Sequence, residues 1–202
     1  MRKFFSNVWV KCISVLLAII LVSGGLIAIL SDLLYVSPEE RTGRALKKIY
    51  GEEKTYQTVL DVDGTDEDKK TALNYDKGKI EKIFFIDKEN DSDTEYDILF
   101  RSTGNEGYKF GTVTLWIRVS VKDGVSKISK VILDSYTKQT LMGKLGSEYY
   151  GAFLVDITDE YFTADKDADG IKNTVSGATK SATAGVNAVN CVINYVNGSF
   201  GG

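Results

Sequence analysis

Gly111-Thr-Val-Thr-Leu-Trp-Ile-Arg-Val-Ser-Val121 is the run on which the fold turns. Val113, Leu115, Ile117, Val119 and Val121 alternate with Thr112, Thr114, Trp116, Arg118 and Ser120, and a period of two predicts a strand with one buried face. Lys122-Asp123-Gly124 follows; Asp-Gly between strand-like runs is a favoured hairpin turn because its residues tolerate positive φ. Ile128, Val131 and Leu133 supply the return strand. Upstream, residues 80–86 and 96–101 carry further strand signals, separated by the polar run 87–94. The expected product is an antiparallel sheet, and with helical patterns before and after it the fold class is α+β.

Residues 12–30 contain no charge and consist mostly of Leu, Ile, Val and Ala, enough to cross a hydrocarbon core as a helix. Arg2, Lys3 and Lys11 precede this run, whereas Asp32, Glu39 and Glu40 follow it. Lys and Arg bias orientation, so residues 1–11 are expected in the cytoplasm and the folded part outside, on a single-pass anchor in the cell membrane. The run is longer than a usual signal-peptide core and no clear Ala-x-Ala site follows, which favours an uncleaved anchor. Ser37-Pro38-Glu39-Glu40 then opens a helix, with Ser37 as cap and Pro38 at the first helical position, ending near Gly51. Residues 61–70 are too polar and too rich in Gly and Asp to be core. Residues 31–75 are therefore read as helical connector and surface loop, and 76–202 as one folded domain.

The 202 residues include no histidine, which removes Ser-His and Cys-His nucleophile pairs, the His-Glu-x-x-His zinc site and any imidazole proton shuttle. Cys12 lies in the apolar run and Cys191 in the last helical pattern, so neither a disulfide between them nor a thiolate metal site is expected. Redox chemistry would need an organic cofactor. Net charge is −3, and since three bases and no acid precede the anchor, the remainder is more acidic still. That balance argues against nucleic acid as a partner.

Asn173-Thr-Val-Ser-Gly-Ala-Thr-Lys-Ser181 combines a turn of minimal bulk with several hydroxyls at a helix start. Ser176 is placed as the cap, Gly177 and Ala178 leave the backbone accessible, and Thr179 falls in the first turn, where free N–H groups and the helix dipole favour an anion such as phosphate. Ala182, Val186, Val189, Ile193 and Val196 then recur at helical spacing until Asn197-Gly198 supplies a stop. Short runs of small residues also cap ordinary helices, so the motif acquires force only from its context.

Ser176-Gly-Ala-Thr179 resembles the Ser/Thr-Gly-Ala-Thr flavinylation motif of the FMN-binding domain found in the G subunit of Rnf complexes and the C subunit of sodium-pumping NADH:quinone oxidoreductase. The likeness extends over roughly half the chain, from Tyr96-Asp-Ile-Leu-Phe through Gly104 to Gly111, the long strand, the Asp-Gly turn and the return strand. It implies FMN held by a phosphoester bond on Thr179, with Asn173, Ser176, Gly177, Ala178, Lys180 and Ser181 around the attachment point. Where the family has Asp three residues before the Ser/Thr, this chain has Asn173, and an Asp restored there is expected to raise occupancy. Where the family has Glu-Thr-Pro-Gly-Leu-Gly, this chain has Gln139-Thr140-Leu141-Met142-Gly143-Lys144-Leu145-Gly146, which places Thr140 and Gly143 as further contacts. The family role is electron relay among other membrane subunits of an ion-translocating oxidoreductase complex, after a separate flavin transferase installs the FMN. Such a chain is a component and not a complete enzyme. A freestanding extracytoplasmic electron-transfer protein or small reductase, and a flavin-free anchored binding domain, remain alternatives.

Two other matches carry less. Asp165-Lys-Asp-Ala-Asp-Gly170 copies the first half of an EF-hand loop, but the twelfth position is Ser176, so the expectation is a solvated turn that needs no calcium. Ser135-Tyr-Thr-Lys138 fits Ser-x-x-Lys, yet neither Ser-Asp-Asn nor Lys-Thr-Gly follows it, and no Walker loop is present.

Overall fold

A computed structural model of the chain describes residues 8–34, 36–88, 90 and 93–200. It divides into two compact units, Met1–Arg41 and Thr42–Gly202. In the first, helix α1 spans Val8–Leu34. Its stretch Trp9–Ile27 is long and apolar enough to cross a membrane, and Ile13, Leu16, Ile20 and Ile27 are all exposed, as on a helix apolar all round. Lys11 lies in its first turn; Arg2 and Lys3, the other bases behind the expected orientation, lie outside the described residues.

Helix α2, Pro38–Tyr50, starts as its sequence dictates: the Ser37 hydroxyl accepts from the Glu40 amide at 3.1 Å. It stops where Gly51 takes φ +81° and donates its N–H to the Lys47 carbonyl. From Thr42 onward this helix belongs to the second unit. Six strands follow: β1 Tyr56–Asp61, β2 Leu73–Tyr75, β3 Gly78–Ile86, β4 Glu95–Gly104, β5 Val113–Lys122 and β6 Val125–Tyr136. They form one antiparallel sheet in the order β1-β3-β4-β5-β6, with β2 also paired to β3. The β5–β6 hairpin turns through Asp123 at φ +50° and Gly124 at φ +82°, the pair of positive angles that Asp-Gly supplies. Beyond the sheet come the short helix α3, Ser147–Gly151, a two-stranded parallel ribbon of β7 Phe162–Thr163 and β8 Ile171–Lys172, and the long helix α4, Thr179–Phe200.

Both faces of the sheet are covered. Ile80, Ile98, Phe100, Leu115 and Ile117 form one core with Val186, Val189, Ile193 and Val196 of α4. On the other face, Ala45, Leu46 and Ile49 of α2 pack on Phe84, Leu99 and Trp116. This corrects the reading of β5 as buried on one face: Thr114 and Trp116, on its nominally open side, are also buried. Thr114 shares a hydrogen bond with Thr103 at 2.8 Å, and the Trp116 indole donates to Asp134 at 3.1 Å, so the polar groups of these two residues stay paired. The stretch 31–75 is also more than connector, because β1 and β2 lie within it and complete the sheet edge.

Helix α4 sits unusually close to β4. A Cβ on Gly104 would stand 1.9 Å from the Ala184 carbonyl oxygen and 2.4 Å from the Ala188 nitrogen. Beside this contact the Ser102 hydroxyl donates to the Ala188 carbonyl at 2.8 Å. A missing side chain and one buried hydrogen bond thus fix where α4 lies along the sheet, and with it everything α4 carries.

Candidate functional site

The start of α4 differs from the expected cap. The first helical residue is Thr179, and the Ala182 amide bonds back to the Ala178 carbonyl at 2.9 Å. The capping position therefore falls to Ala178, which has no side-chain acceptor, and not to Ser176. Three amides of the first turn, those of Thr179, Lys180 and Ser181, stand outside the helical ladder. The chain reaches this point through a turn in which the Ala178 amide donates to the Val175 carbonyl and Gly177 takes φ +73°.

Burial sorts the three hydroxyls. Ser181 is 2% exposed, and its hydroxyl donates to Gln139 Oε1 at 2.8 Å. Thr179 is exposed and opens on a groove of about 660 Å³, within the range of small-molecule sites. Ser176, also exposed, lines a separate groove of about 470 Å³ with Lys144, Glu148 and Tyr149. Thr174 lines both, so the segment between β8 and α4 is a ridge with Ser176 on one flank and Thr179 on the other.

The larger groove is built from parts scattered through the sequence. Its floor is the polar face of α4, where Thr179, Thr183, Asn187 and Asn190 succeed one another at helical spacing. One wall is the Asp165–Gly170 region. Here Asp165 Oδ1 accepts from the Asp167 amide at 3.0 Å and Thr163 Oγ1 from the Asp165 amide at 3.1 Å, so the EF-hand-like run is held as a local turn. Gly170 closes it at φ +110°, where a Cβ would meet the Tyr161 carbonyl oxygen at 2.4 Å. Among the described residues no three His, Cys, Asp or Glu are grouped to hold a metal ion. Asn190 fastens the wall to α4 by pairing with both the N–H and the C=O of Phe162, at 3.0 and 2.8 Å. The opposite wall carries Lys77 and Glu106, an ion pair at 3.5 Å.

The remaining expected residues fall as follows. Lys180 is exposed and lines the larger groove; Gly177 is exposed, and Ala178 is buried beneath it. A Cβ on Gly177 would lie 2.9 Å from Lys144 Nζ, which brings a cation from the 140–146 loop to the turn. Thr140 and Gly143 are exposed on that loop but line none of the grooves described. Gln139, not expected as a site residue, is the hub of the region. Its Oε1 accepts from both Ser181 and the Tyr108 amide, and its Nε2 donates to the Thr137 carbonyl. Tyr149 is equally central: its hydroxyl donates to the Ala182 carbonyl at 2.8 Å, and burial pushes its ionisation far above the ordinary tyrosine range. Burial likewise pushes the Cys191 thiol up to about 11, which keeps it an unreactive S–H.

Asn173 is 5% exposed, and its amide nitrogen donates to the Tyr149 carbonyl at 3.0 Å. An ionised Asp would offer that carbonyl an acceptor in place of a donor. Asn173→Asp should therefore destabilise the fold by about 2–4 kcal/mol at pH 7, against the expectation that Asp here favours the site. Burial raises the variant carboxyl above its unfolded value of about 4. Below that pH both states are protonated and the variant lies closest to wild type; as pH rises, the unfolded state sheds its proton first and stability falls. Urea unfolding of both proteins at pH 4 and pH 7 measures this. A variant as stable as wild type at pH 7 would mean that the Tyr149 carbonyl finds another donor.

No family model matches this chain, and neither does any curated protein or solved structure.

Proposed function

We propose that the protein is a membrane-anchored flavoprotein that carries FMN on Thr179 and relays electrons at the outer face of the cell membrane. The observation that carries the reading is the selective exposure of Thr179: of the two hydroxyls in the first turn of α4, one is sealed against Gln139 and the other opens on a groove of ligand size. The uncapped amides of that turn and the adjacent Lys180 suit a phosphodiester, a fit that comes from the chain's own donors. The likeness of Ser176-Gly-Ala-Thr179 to the Rnf and sodium-pump flavinylation motif supports the same residue.

In that family the transferase takes FMN from FAD with magnesium present. A bond forms between the threonine oxygen and the FMN phosphorus as the link to AMP breaks, and the hydroxyl proton is lost. Bound FMN supplies exchange of one or two electrons. The protein's part is to hold the phosphate, keep the ring over a polar surface and present it to partners, which on this reading are other membrane subunits of an ion-translocating complex. Peptide mass mapping of protein made together with a competent transferase tests the assignment: one FMN less water is expected on the peptide containing Thr179. Wild-type protein from its native membrane with no covalent flavin would end the reading.

The electron path also requires the folded unit to be outside. With cysteines placed at Ser6 and Val125 in separate Cys12→Ser proteins, an impermeant thiol reagent on intact cells should label the Val125→Cys protein and spare the Ser6→Cys protein. Val125 is a suitable reporter because it is exposed at the hairpin. The reverse pattern would put the flavin on the cytoplasmic side.

A further inference from the structure

The groove under Thr179 does not end at its far wall. A second pocket of about 230 Å³ shares Lys77, Asn187 and Asn190 with it and adds Tyr75 and Tyr161. The two form one trough along the polar face of α4, away from the helix start. From Thr179 to Asn187 is eight residues, about 12 Å along the helix at 1.5 Å each. The near half is floored by hydroxyl and amide side chains, which suits a polyol chain. The far half has aromatic rings, and the Lys77–Glu106 ion pair stands where the halves meet, Lys77 lining both and Glu106 the near one.

That ion pair is held with some care. Glu106 occupies φ +66°, a left-handed conformation that non-glycine residues seldom take. Asn187, 6% exposed, fixes the segment by donating to the Asn105 carbonyl at 3.0 Å and to the Glu106 carboxylate at 3.4 Å. Strain and a buried amide thus serve to hold one carboxylate over the trough, with a lysine beside it.

We propose that a flavin tethered at Thr179 lies back along α4 in this trough, with its ring beside Lys77 and Glu106, and that these two charges set its reduction potential. The inference rests on Thr179 being the attachment site. Two electrons and one proton convert the oxidised ring to its reduced anion, which a neighbouring cation favours and a neighbouring carboxylate opposes. Both side chains are about half exposed, so either can be neutralised without emptying a core.

The test is a spectroelectrochemical titration of flavinylated full-length protein in detergent, with an electrode supplying the electrons through mediators. Lys77→Met should lower the midpoint potential and Glu106→Gln should raise it, each by about a tenfold change in the equilibrium, about 30 mV for a two-electron couple. Lys144→Met, in the groove on the other flank of the ridge, should leave it unchanged. Peptide mapping of every sample separates the two claims. No flavin on Thr179 removes both the attachment reading and this inference. Flavin on Thr179 with a shift in Lys144→Met and none in Lys77→Met would place the ring in the other groove. Flavin there with no shift in any variant would place it in solvent. Either of the last two results overturns the trough while leaving the attachment intact.

Discussion

Replacing Thr179 by Val should remove all covalent flavin from the protein while leaving the fold in place. Valine keeps the β-branched shape and near-equal helix propensity, and Thr179 is exposed, so the cost in stability should stay within about 0.5 kcal/mol. Its hydroxyl is not replaceable by its neighbours. Ser181 is buried with its proton committed to Gln139, and Ser176 faces the other groove. Ser176→Ala should therefore keep full flavin occupancy. Ser181→Ala should keep it too, while losing about 1 kcal/mol of stability with the buried hydrogen bond. Thr179→Ser, which supplies a hydroxyl at the same point, should recover attachment. Intact-protein mass spectra of the four variants, each made with the transferase, read the occupancies, and urea unfolding reads the stabilities. Stoichiometric covalent flavin in Thr179→Val would mean that another hydroxyl is the acceptor.

The largest loss of stability is expected from a single methyl group at Gly104. The obstacle to a Cβ there is the backbone of α4, with the Ala184 carbonyl at 1.9 Å and the Ala188 nitrogen at 2.4 Å, and backbone cannot swing aside as a flexible side chain can. Helix α4 must lift from β4, opening the contact between its valines and Phe100, Leu115 and Ile117 and drawing Ala188 from Ser102. Overpacking of this kind costs about 3 kcal/mol or more. Gly43→Ala provides the opposite sign: Gly43 is exposed within α2 with nothing within 4 Å of the added carbon, so helix propensity alone acts and stabilises by up to about 1 kcal/mol. Urea midpoints of the two variants and wild type give the comparison, and Gly104→Ala matching wild type would show that α4 has room to move. Lifting α4 would also pull Asn187 from Glu106, so the far wall of the trough should loosen in the same variant.

The elements that could be read from sequence were those whose pattern is local. Strand β5 declared itself by alternation, the β5–β6 turn by Asp-Gly, and α2 by Ser37 and Pro38 at its start. What could not be read depends on partners distant in sequence. Trp116 counts as an outward residue by period, and only the arrival of α2 buries it. Strand β1 has a mixed pattern because it lies at an edge, with a register shift between Thr58 and Leu60, and β2 is only three residues long. At the site, the run 173–181 marked the helix start and its hydroxyls, but nothing local says which hydroxyl is sealed. That depends on Gln139, 42 positions from Ser181. Lys77 and Glu106 carried no signal at all, since an ion pair formed across two loops leaves no spacing to find.

The triple use of Gln139 bears on the order of events in the life of the protein. Through that one side chain the first turn of α4 is joined to the 107–111 loop and to the end of β6, so Thr179 stands on a surface assembled from three distant parts of the chain. A nascent chain threading a translocation pore has no such surface; it offers only a flexible run of small residues. An enzyme that recognises the finished knob and groove must act after the sheet has closed and α4 has docked. On the proposed reading, such an enzyme would leave an incompletely folded copy without its cofactor, and loading with flavin would double as a check on folding.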